Sequence, residues 1–411
     1  MALSGTIESN YKVYLYDIES VVIVCNGETF NMSDLQISDA YIERNYDEDY
    51  LPIFMLKLMI PDDLYYNIVK NHDKTTFTIM IKNMIYENES KKTDYSIWLN
   101  GIYQPMGVDG TPFVAEDLFD DVKKTTGSES GMDLSDFSRG RTFILAKASD
   151  LNVSKAIVNA ILTSANMTTA VSYVMSQAGV TNMLISPLDN NESYRELVLL
   201  PQPLIPQLKY LNSFYGFYKE GAQIFFDIDS GYILRNTHTC TAYRSREVTT
   251  VVITLYDTST PNSMNSGSFI DRPALTAYLG VNAGRYSIED RSKSSGQYLG
   301  SNSMIIDNDG NISGSSGTST NVLTTKNHNK FYKDEISLRM EELSHILILT
   351  CYNVDMRLFK PNKCFKVVSN STKITQEAAG MYRLVSTKCR LTRSGDHHSA
   401  VATITLAKTS T

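Results

Sequence analysis

Short runs in which every second residue is apolar occupy both ends of this 411-residue chain, and this period of two is the feature that most restricts its fold. In Ile53–Ile60, every second residue from Phe54 onward is large and apolar. Near the C-terminus, Ala402, Ile404 and Leu406 face one way, because successive side chains in a strand point to opposite sides of the sheet. The pattern favours antiparallel strands with one buried face at both ends of the chain.

The composition agrees with a β-rich fold and argues against several classes of protein. The chain has 25 Tyr and 15 Phe but one Trp, and stiff aromatic rings suit the pleated, half-buried surface of a sheet. Its 42% apolar and 20% charged residues are typical of a globular protein, and its length allows two or three domains. The formal net charge of −7 gives no reason to expect nucleic-acid specificity or capture by an anionic membrane.

The first third of the chain is predicted to consist of strands and one short helix. Besides Ile53–Ile60, the predicted strands are Tyr11–Tyr16, Val21–Cys25, Phe77–Ile81 and Tyr95–Leu99. Asn26-Gly27 and Asn100-Gly101 are turn signals between strands. The apolar residues of Asp62–Asn71 share a helical face, which predicts a helix there. Lys123–Arg141, with few apolar residues and a Thr/Ser/Gly-rich stretch, is interpreted as a linker.

The middle of the chain has a different period. After a strand at Thr142–Lys147, a helix is predicted over Thr168–Gln177, with Thr168 as its N-cap and Gly179 beyond its C-terminus. A second helix is predicted from Pro203 to Tyr215, followed by Gly216. The runs Ile224–Ile228 and Tyr232–Leu234, joined by Asp229-Ser230-Gly231, are predicted to form a hairpin. These elements indicate a small α+β module.

The strand pattern returns in the last third. The predicted strands are Val248–Tyr256, Ile346–Cys351, Phe365–Val368, Met381–Val385 and Val401–Leu406. A Ser/Gly-rich insertion at about residues 292–326 is interpreted as a mobile loop. We therefore expect three parts: a β domain over residues 1–140, an α+β connecting module over 141–245, and a second β domain over 246–411.

The cysteines and the apolar runs give no sign of disulfides, secretion or a membrane span. The five cysteines are odd in number and widely spaced, and we interpret them as buried, reduced thiols: Cys25, Cys240, Cys351, Cys364 and Cys389. The first residues lack the basic and apolar segments of a secretory signal. The most apolar run, Ile53–Ile60, is too short to cross a bilayer. The chain is expected to be made in the cytoplasm and to stay soluble.

Three acidic or histidine-containing clusters deserve comparison with metal sites. Asp396 precedes His397-His398, but adjacent strand residues point apart, so a surface turn is the preferred interpretation. Asp307-Asn308-Asp309-Gly310-Asn311 opens like a calcium loop, but Thr318 stands where the twelfth position needs Glu, which favours a turn. Asp227 and Asp229 would share a strand face, and a solvated strand end is the preferred interpretation.

The chain lacks the sequence signatures of the common catalytic sites. Gly127-Ser128-Glu129-Ser130-Gly131 resembles a nucleophile elbow but has Glu129 where the serine is required. The sequence contains no phosphate-binding loop, no H-E-x-x-H and no dinucleotide fingerprint. We therefore predict no enzyme, no catalytic residues, no cofactor and no metal site. Ion binding at Asp307 and Asp309 stays open.

An ordered set of motifs over residues 140–411 resembles a known family. The motifs are Phe143-Ile144-Leu145, the helix Thr168–Gly179, Glu192–Glu196, Gln207–Tyr218, Ile224–Asp227, Leu358–Lys363, Ala379–Val385 and the hairpin turn Thr392–Asp396. Their order and spacing resemble the hub fold of tailed phages, which the late-control (gene D) tail proteins and the N-terminal part of VgrG spikes share. Asn362 departs from the family's usual glycine, and the 292–326 insertion has no counterpart.

The resemblance implies a structural part rather than an enzyme. It implies two tube-like β-barrel domains on either side of the α+β module, in a homotrimer that adapts the six-fold tail tube to a three-fold spike or tip. The partners implied are further copies of the chain, the tail tube protein or distal tube ring, the spike or tip protein and the tape measure protein. The location implied is the virion, in the phage tail or baseplate, after assembly in the host cytoplasm.

Other functions remain open from the sequence. They are the hub of a phage-derived bacterial injection system, a tail-associated cell-wall hydrolase and a receptor-binding tail protein. A hydrolase would need a pair of carboxyl groups, and once the three parts are assigned no segment is left for a separate hydrolase domain.

Overall fold

The computed structural model describes most of the chain in sixteen stretches. They are residues 13–46, 50–87, 90–109, 111–112, 138–218, 222–228, 230–235, 250–256, 275–282, 286–290, 304–306, 312–313, 322–323, 345–361, 363–369 and 378–409.

The described residues of the first third form eight strands and one α-helix. The strands are β1 Val13–Cys25, β2 Glu28–Met32, β3 Ile37–Asn45, β4 Ile53–Pro61, β5 Thr75–Glu87, β6 Ser90–Val108, β7 Thr111–Pro112 and β8 Ser138–Lys147. Helix α1 is Asp62–Lys70, and 3-10 turns lie at Asp34–Gln36 and His72–Lys74. Most of the predicted linker at 123–141 lies outside the described residues, and its last four residues belong to β8.

One of the two predicted Asn-Gly turns is confirmed and the other is wrong. Asn26 and Gly27 have φ angles of 49° and 88°, and they join β1 to β2 as a tight hairpin turn requires. Asn100 and Gly101 lie inside β6 instead. Gly101 pairs with Ile79 of β5 there, so the long β5–β6 ladder overrides the local turn preference.

In the middle of the chain, the described residues form three helices and five strands. They are α2 Ala148–Lys155, β9 Ile157–Asn166, α3 Met167–Ala178, β10 Met183–Ile185, β11 Ser193–Pro203, α4 Leu204–Tyr215, β12 Ala222–Phe226 and β13 Gly231–Arg235. Helices α3 and α4 confirm the two predicted helices. Strand β9 and helix α2 are elements that the sequence patterns did not predict.

The predicted N-cap of α3 is wrong, and its C-terminal signal is confirmed. Asn166, not Thr168, is the cap residue, and its Oδ1 accepts a hydrogen bond of 2.8 Å from the Thr169 amide. Gly179 has a φ of 76°, the left-handed conformation that commonly ends a helix. Thr168 lies inside the first turn because the helix begins one residue before it.

The last third contains the remaining strands. They are β14 Thr250–Tyr256, β15 Leu275–Asn282, β16 Tyr286–Asp290, β17 Met304–Ile306, β18 Ile312–Ser313, β19 Val322–Leu323, β20 His345–Tyr352, β21 Cys364–Ser369, β22 Gly380–Ser394 and β23 His397–Lys408. A 3-10 turn lies at Met356–Leu358. Strands β17, β18 and β19 form a small sheet within the 292–326 insertion, whose other residues lie outside the described part of the chain.

Strands from both ends of the chain pair in one large, mainly antiparallel sheet. The order β22–β3–β4–β8–β6–β5–β1–β23 closes on itself, because β22 also pairs with β23. We call these eight strands the ring. Strands β21, β14 and β15 continue the sheet beyond β22, and β20 and β16 continue it beyond β23. The fold is thus mainly β, as predicted, and the division at residues 140 and 245 into two tube-like barrels and a module stays a prediction.

Two hydrophobic cores meet at the β12–β13 hairpin. The larger core packs inward-facing residues of all eight ring strands and of α1, and the smaller one lies among α3, α4, β9 and β11. Phe225 packs into the larger core, whereas its neighbours Ile224 and Phe226 pack into the smaller one. Burying one such large side chain contributes about 1.5–3 kcal/mol. Because successive side chains of β12 enter different cores, this one strand connects the middle module to the ring.

Candidate functional site

Several of the candidate clusters lie outside the described part of the chain. Residues 307–311, the nucleophile-elbow-like segment 127–131 and Asp229 are outside the described residues. Asp227, His397 and His398 are described, and each lies where two parts of the molecule join. These two joins are the candidate sites.

The first join is the contact between β1 and β23 within the ring, which we call the seam. Tyr16 and His398 are the cross-strand partners that link the two strands there. Beside them, Nδ1 of His397 lies 2.7 Å from Oδ1 of Asp17. His397 and His398 therefore belong to a strand rather than to a surface turn, and their predicted place in the turn is wrong. The turn itself is formed by Gly395, with φ 64°, and Asp396.

A cleft of about 360 Å³ opens at the seam. Its lining is mainly polar and carries charges of both signs: Asp17, Ile18, Glu19, Lys82, Arg393, Asp396 and His398. Lys82 forms an ion pair with Glu19 across β5 and β1. Since both acidic and basic side chains line it, the cleft has no field of one sign that would attract a charged ligand.

Tyr16 anchors the inner side of the seam. Its ring is fully buried and lies 5.0 Å from the ring of Trp98. Its hydroxyl donates a hydrogen bond of 2.6 Å to the Val354 carbonyl and accepts one of 3.0 Å from the Met356 amide. Burial raises the pKa of this hydroxyl well above its ordinary value, so Tyr16 stays neutral and can make both bonds.

The second join is a buried ion pair between the ring and the middle module, which we call the junction. The guanidinium of Arg44 on β3 lies 3.3 Å from Oδ1 of Asp227, and both side chains are almost fully buried. Nε of Arg44 donates a hydrogen bond of 2.7 Å to Oγ1 of Thr387 on β22, and the Tyr46 hydroxyl donates to Oδ2 of Asp227 at 3.3 Å. Asp227 is therefore not a solvated strand end, because in the β12–β13 hairpin it is buried against Arg44 and Tyr46.

The thiol of Cys389, which lies near the junction, is unsuited to act as a nucleophile. Cys389 lies on β22, and burial raises the pKa of its thiol to about 12. A nucleophilic cysteine needs a lowered pKa, so this one stays protonated and unreactive. The prediction of buried, reduced thiols is confirmed for the four cysteines described, which are Cys25, Cys351, Cys364 and Cys389. Cys240 lies outside the described residues.

Sequence reasoning missed Arg44, although the strand pattern contains a signal for it. Ala40 and Ile42 occupy the inward positions of β3, and a period of two places Arg44 next on the same face. A charged side chain at an inward position requires a buried partner. The local sequence pattern does not identify that partner, because Asp227 lies 183 positions away in the chain. Within the described ranges, no group of three or more His, Cys, Asp or Glu residues could hold a metal ion.

The structure is that of a mainly β protein, and the polar clusters among its described residues connect different segments of the same chain. The chain belongs to the Bacteriophage PBS1 gene 109 protein family, whose sequence pattern matches residues 6–409. A comparison with curated proteins found no match. No helix among the described residues is long and apolar enough to cross a bilayer.

Solved structures similar to this chain include phage tail proteins. The tail protein from Neisseria meningitidis MC58 is 11% identical with a TM-score of 0.46, covering 96% of each chain. The 43 kDa tail protein of prophage MuSo2 from Shewanella oneidensis is 10% identical with a TM-score of 0.46, covering 94% of this chain and 96% of that one. An E. coli component of the type VI secretion system is 10% identical with a TM-score of 0.39, covering 96% and 77%. Likenesses of this degree carry no argument about function.

Proposed function

We propose that this chain is a structural hub of a phage tail or baseplate. In this role it forms a homotrimer that adapts the six-fold tail tube to a three-fold spike or tip. The observation that carries the proposal is membership of a bacteriophage protein family over nearly the whole chain. The ordered motifs of residues 140–411, which resemble tail hubs, support it independently.

The described structure supports a mechanical role in a second way. The junction and the seam use their charged side chains to bind one part of the chain to another, as the Arg44–Asp227 and His397–Asp17 pairs show. A continuous hydrogen-bonded sheet that includes both ends of the chain suits a part that transmits force without changing shape. The proposed partners are further copies of the chain, the tail tube protein, the spike or tip protein and the tape measure protein, within the virion.

Mass in solution and the location in the particle test this proposal. Light scattering of the purified full chain is expected to give a stable trimer. Electron microscopy of particles labelled with antibody against the chain is expected to place it at the tail tip, with three-fold density. A monomer that cleaves peptidoglycan in a zymogram would instead indicate a tail-associated hydrolase. Label on host-binding fibres alone would indicate a receptor-binding protein.

A further inference from the structure

A row of directly paired residues crosses seven strands of the large sheet at one level. The row runs through direct cross-strand partners in the order Tyr352, Val401, Arg390, Tyr41, Met55, Ile144 and Gly107, with Met106 beside the last. At a strand spacing of about 4.8 Å, six steps make the row roughly 29 Å long. All its members except Arg390 and Gly107 carry large side chains with apolar carbon surface. We call this row the apolar belt.

Polar rows border the apolar belt on both sides. One passes through Thr403, Lys388 and Glu43, and the other through Thr392, Asp39 and Lys57. Three charged residues of these rows are paired within the chain: Lys388 with Glu43 at 2.6 Å, and Asp39 with Arg390 of the belt at 3.3 Å. A band of apolar side chains rimmed by polar ones is typical of a protein–protein contact surface.

The most exposed apolar side chains of the belt lie at its two ends, whereas Arg390, 60% exposed, is a charged residue between them. Tyr352 is 50% and Val401 is 37% exposed at the β20–β23 end, and Met106 is 39% exposed at the β6 end. Between them, Tyr41, Met55 and Ile144 are partly covered. The two ends are therefore separate patches on one continuous row.

The closed ring makes the two ends point in different directions. Strands β23 and β6 are five positions apart in a ring of eight, so the belt passes around more than half of the outer wall. A single flat partner cannot cover both ends. Identical copies side by side around an axis can, because a rotational ring with more than two members brings two different patches of neighbouring copies together.

We infer that the apolar belt is the surface through which copies of this chain contact one another. Its β20–β23 end, with Tyr352 and Val401, lies against the β6–β8 end, with Met106 and Ile144, of the next copy. The contact is head-to-tail, so each copy uses both ends once. This inference rests on the proposed homotrimer and names the surface that forms it.

Charged substitutions at the two ends test the inference. Val401→Glu and Met106→Glu each place a charge in the centre of the contact, and each is expected to weaken association of the full chain at least about tenfold. Ile161→Glu is the matched control, because Ile161 is 67% exposed on β9, away from the belt. Sedimentation over a concentration series measures the effect, and circular dichroism verifies that the three variants are folded.

Mixing the two variants tests the head-to-tail arrangement. Each retains one intact end, so an equimolar mixture of Val401→Glu and Met106→Glu is expected to form dimers that cannot close into a ring. Trimers of both variants at wild-type strength would overturn the belt inference while leaving the homotrimer intact. A wild-type chain that stays monomeric would overturn the proposed homotrimer itself.

A crosslink tests the same contact if the charged variants fail to fold. The double variant Val401→Cys/Met106→Cys is expected to form a disulfide between copies under mild oxidation. Ile161→Cys/Met106→Cys, the matched control, is expected to stay uncrosslinked. Equal crosslinking of both double variants would overturn the proposed pairing of the ends.

Discussion

The seam and the junction each join two parts of the molecule with an acid–base pair, but in opposite surroundings. At the seam, the His397 and Asp17 side chains are 21% and 26% exposed, so water can reach the contact between them. At the junction, the Arg44 and Asp227 side chains are 4% and 2% exposed. A buried pair is costly to break because the remaining charge is left without water, whereas a partly exposed one is not. Breaking the ion pair at the junction is therefore expected to cost more stability than breaking the pair at the seam.

Removing Asp227 is expected to give the largest loss of stability. Asp227→Ala leaves the Arg44 guanidinium buried without its carboxylate, which costs about 3–5 kcal/mol of the free energy of unfolding. Urea unfolding followed by fluorescence measures the loss. The double variant Arg44→Met/Asp227→Leu removes both charges and is expected to recover most of it. A loss under about 1 kcal/mol for Asp227→Ala would mean that the junction is open to water.

Removing the Tyr16 hydroxyl is expected to give an intermediate loss. Tyr16→Phe keeps the ring against Trp98 but leaves the Val354 carbonyl and the Met356 amide without their partner, which costs about 1–3 kcal/mol. Hydrogen exchange is expected to speed up at the Met356 amide first. Unchanged exchange there would show that the seam does not depend on this hydroxyl.

Neutralising Asp17 is expected to give a small loss. Asp17→Asn replaces the carboxylate that His397 contacts at a partly exposed site, and such pairs contribute about 0–1 kcal/mol. The loss is expected to disappear in high salt, because the site is within reach of the screening ions. A loss as large as that of Asp227→Ala would end the contrast between the two joins.

Cys389 is expected to show no reaction in the folded chain. Because burial raises the thiol pKa to about 12, a thiol reagent at pH 8 should modify Cys389 only after unfolding. The thiol ionises less readily in the folded chain than in the unfolded chain. Its contribution to the free energy of unfolding is therefore fully present below the ordinary thiol pKa of 9.0 and is lost as the pH rises through about 12. Mass spectrometry of the modified peptide measures the reaction, and fast native labelling would contradict burial at the junction.

Local patterns predicted the elements that carry strong local signals. The period of two in β4 and β23, the glycine after α3 and the Asn26-Gly27 turn each depend on residues close together in the chain. The predictions failed where a distant segment determined the outcome. Asn100-Gly101 forms a ladder because β5 lies alongside, and Asp227 is buried because Arg44 of β3 lies against it.

The sequence by itself determined that this is a mainly β protein with helices in the middle of the chain, and the family to which it belongs. Only the tertiary structure decided which strands share the ring, that Asp227 reaches Arg44, and that seven separate strands form one apolar belt. The physical reason is distance along the chain. Alternation fixes which face of a strand is apolar, but register between strands is set by packing across hundreds of residues, and no local pattern records it.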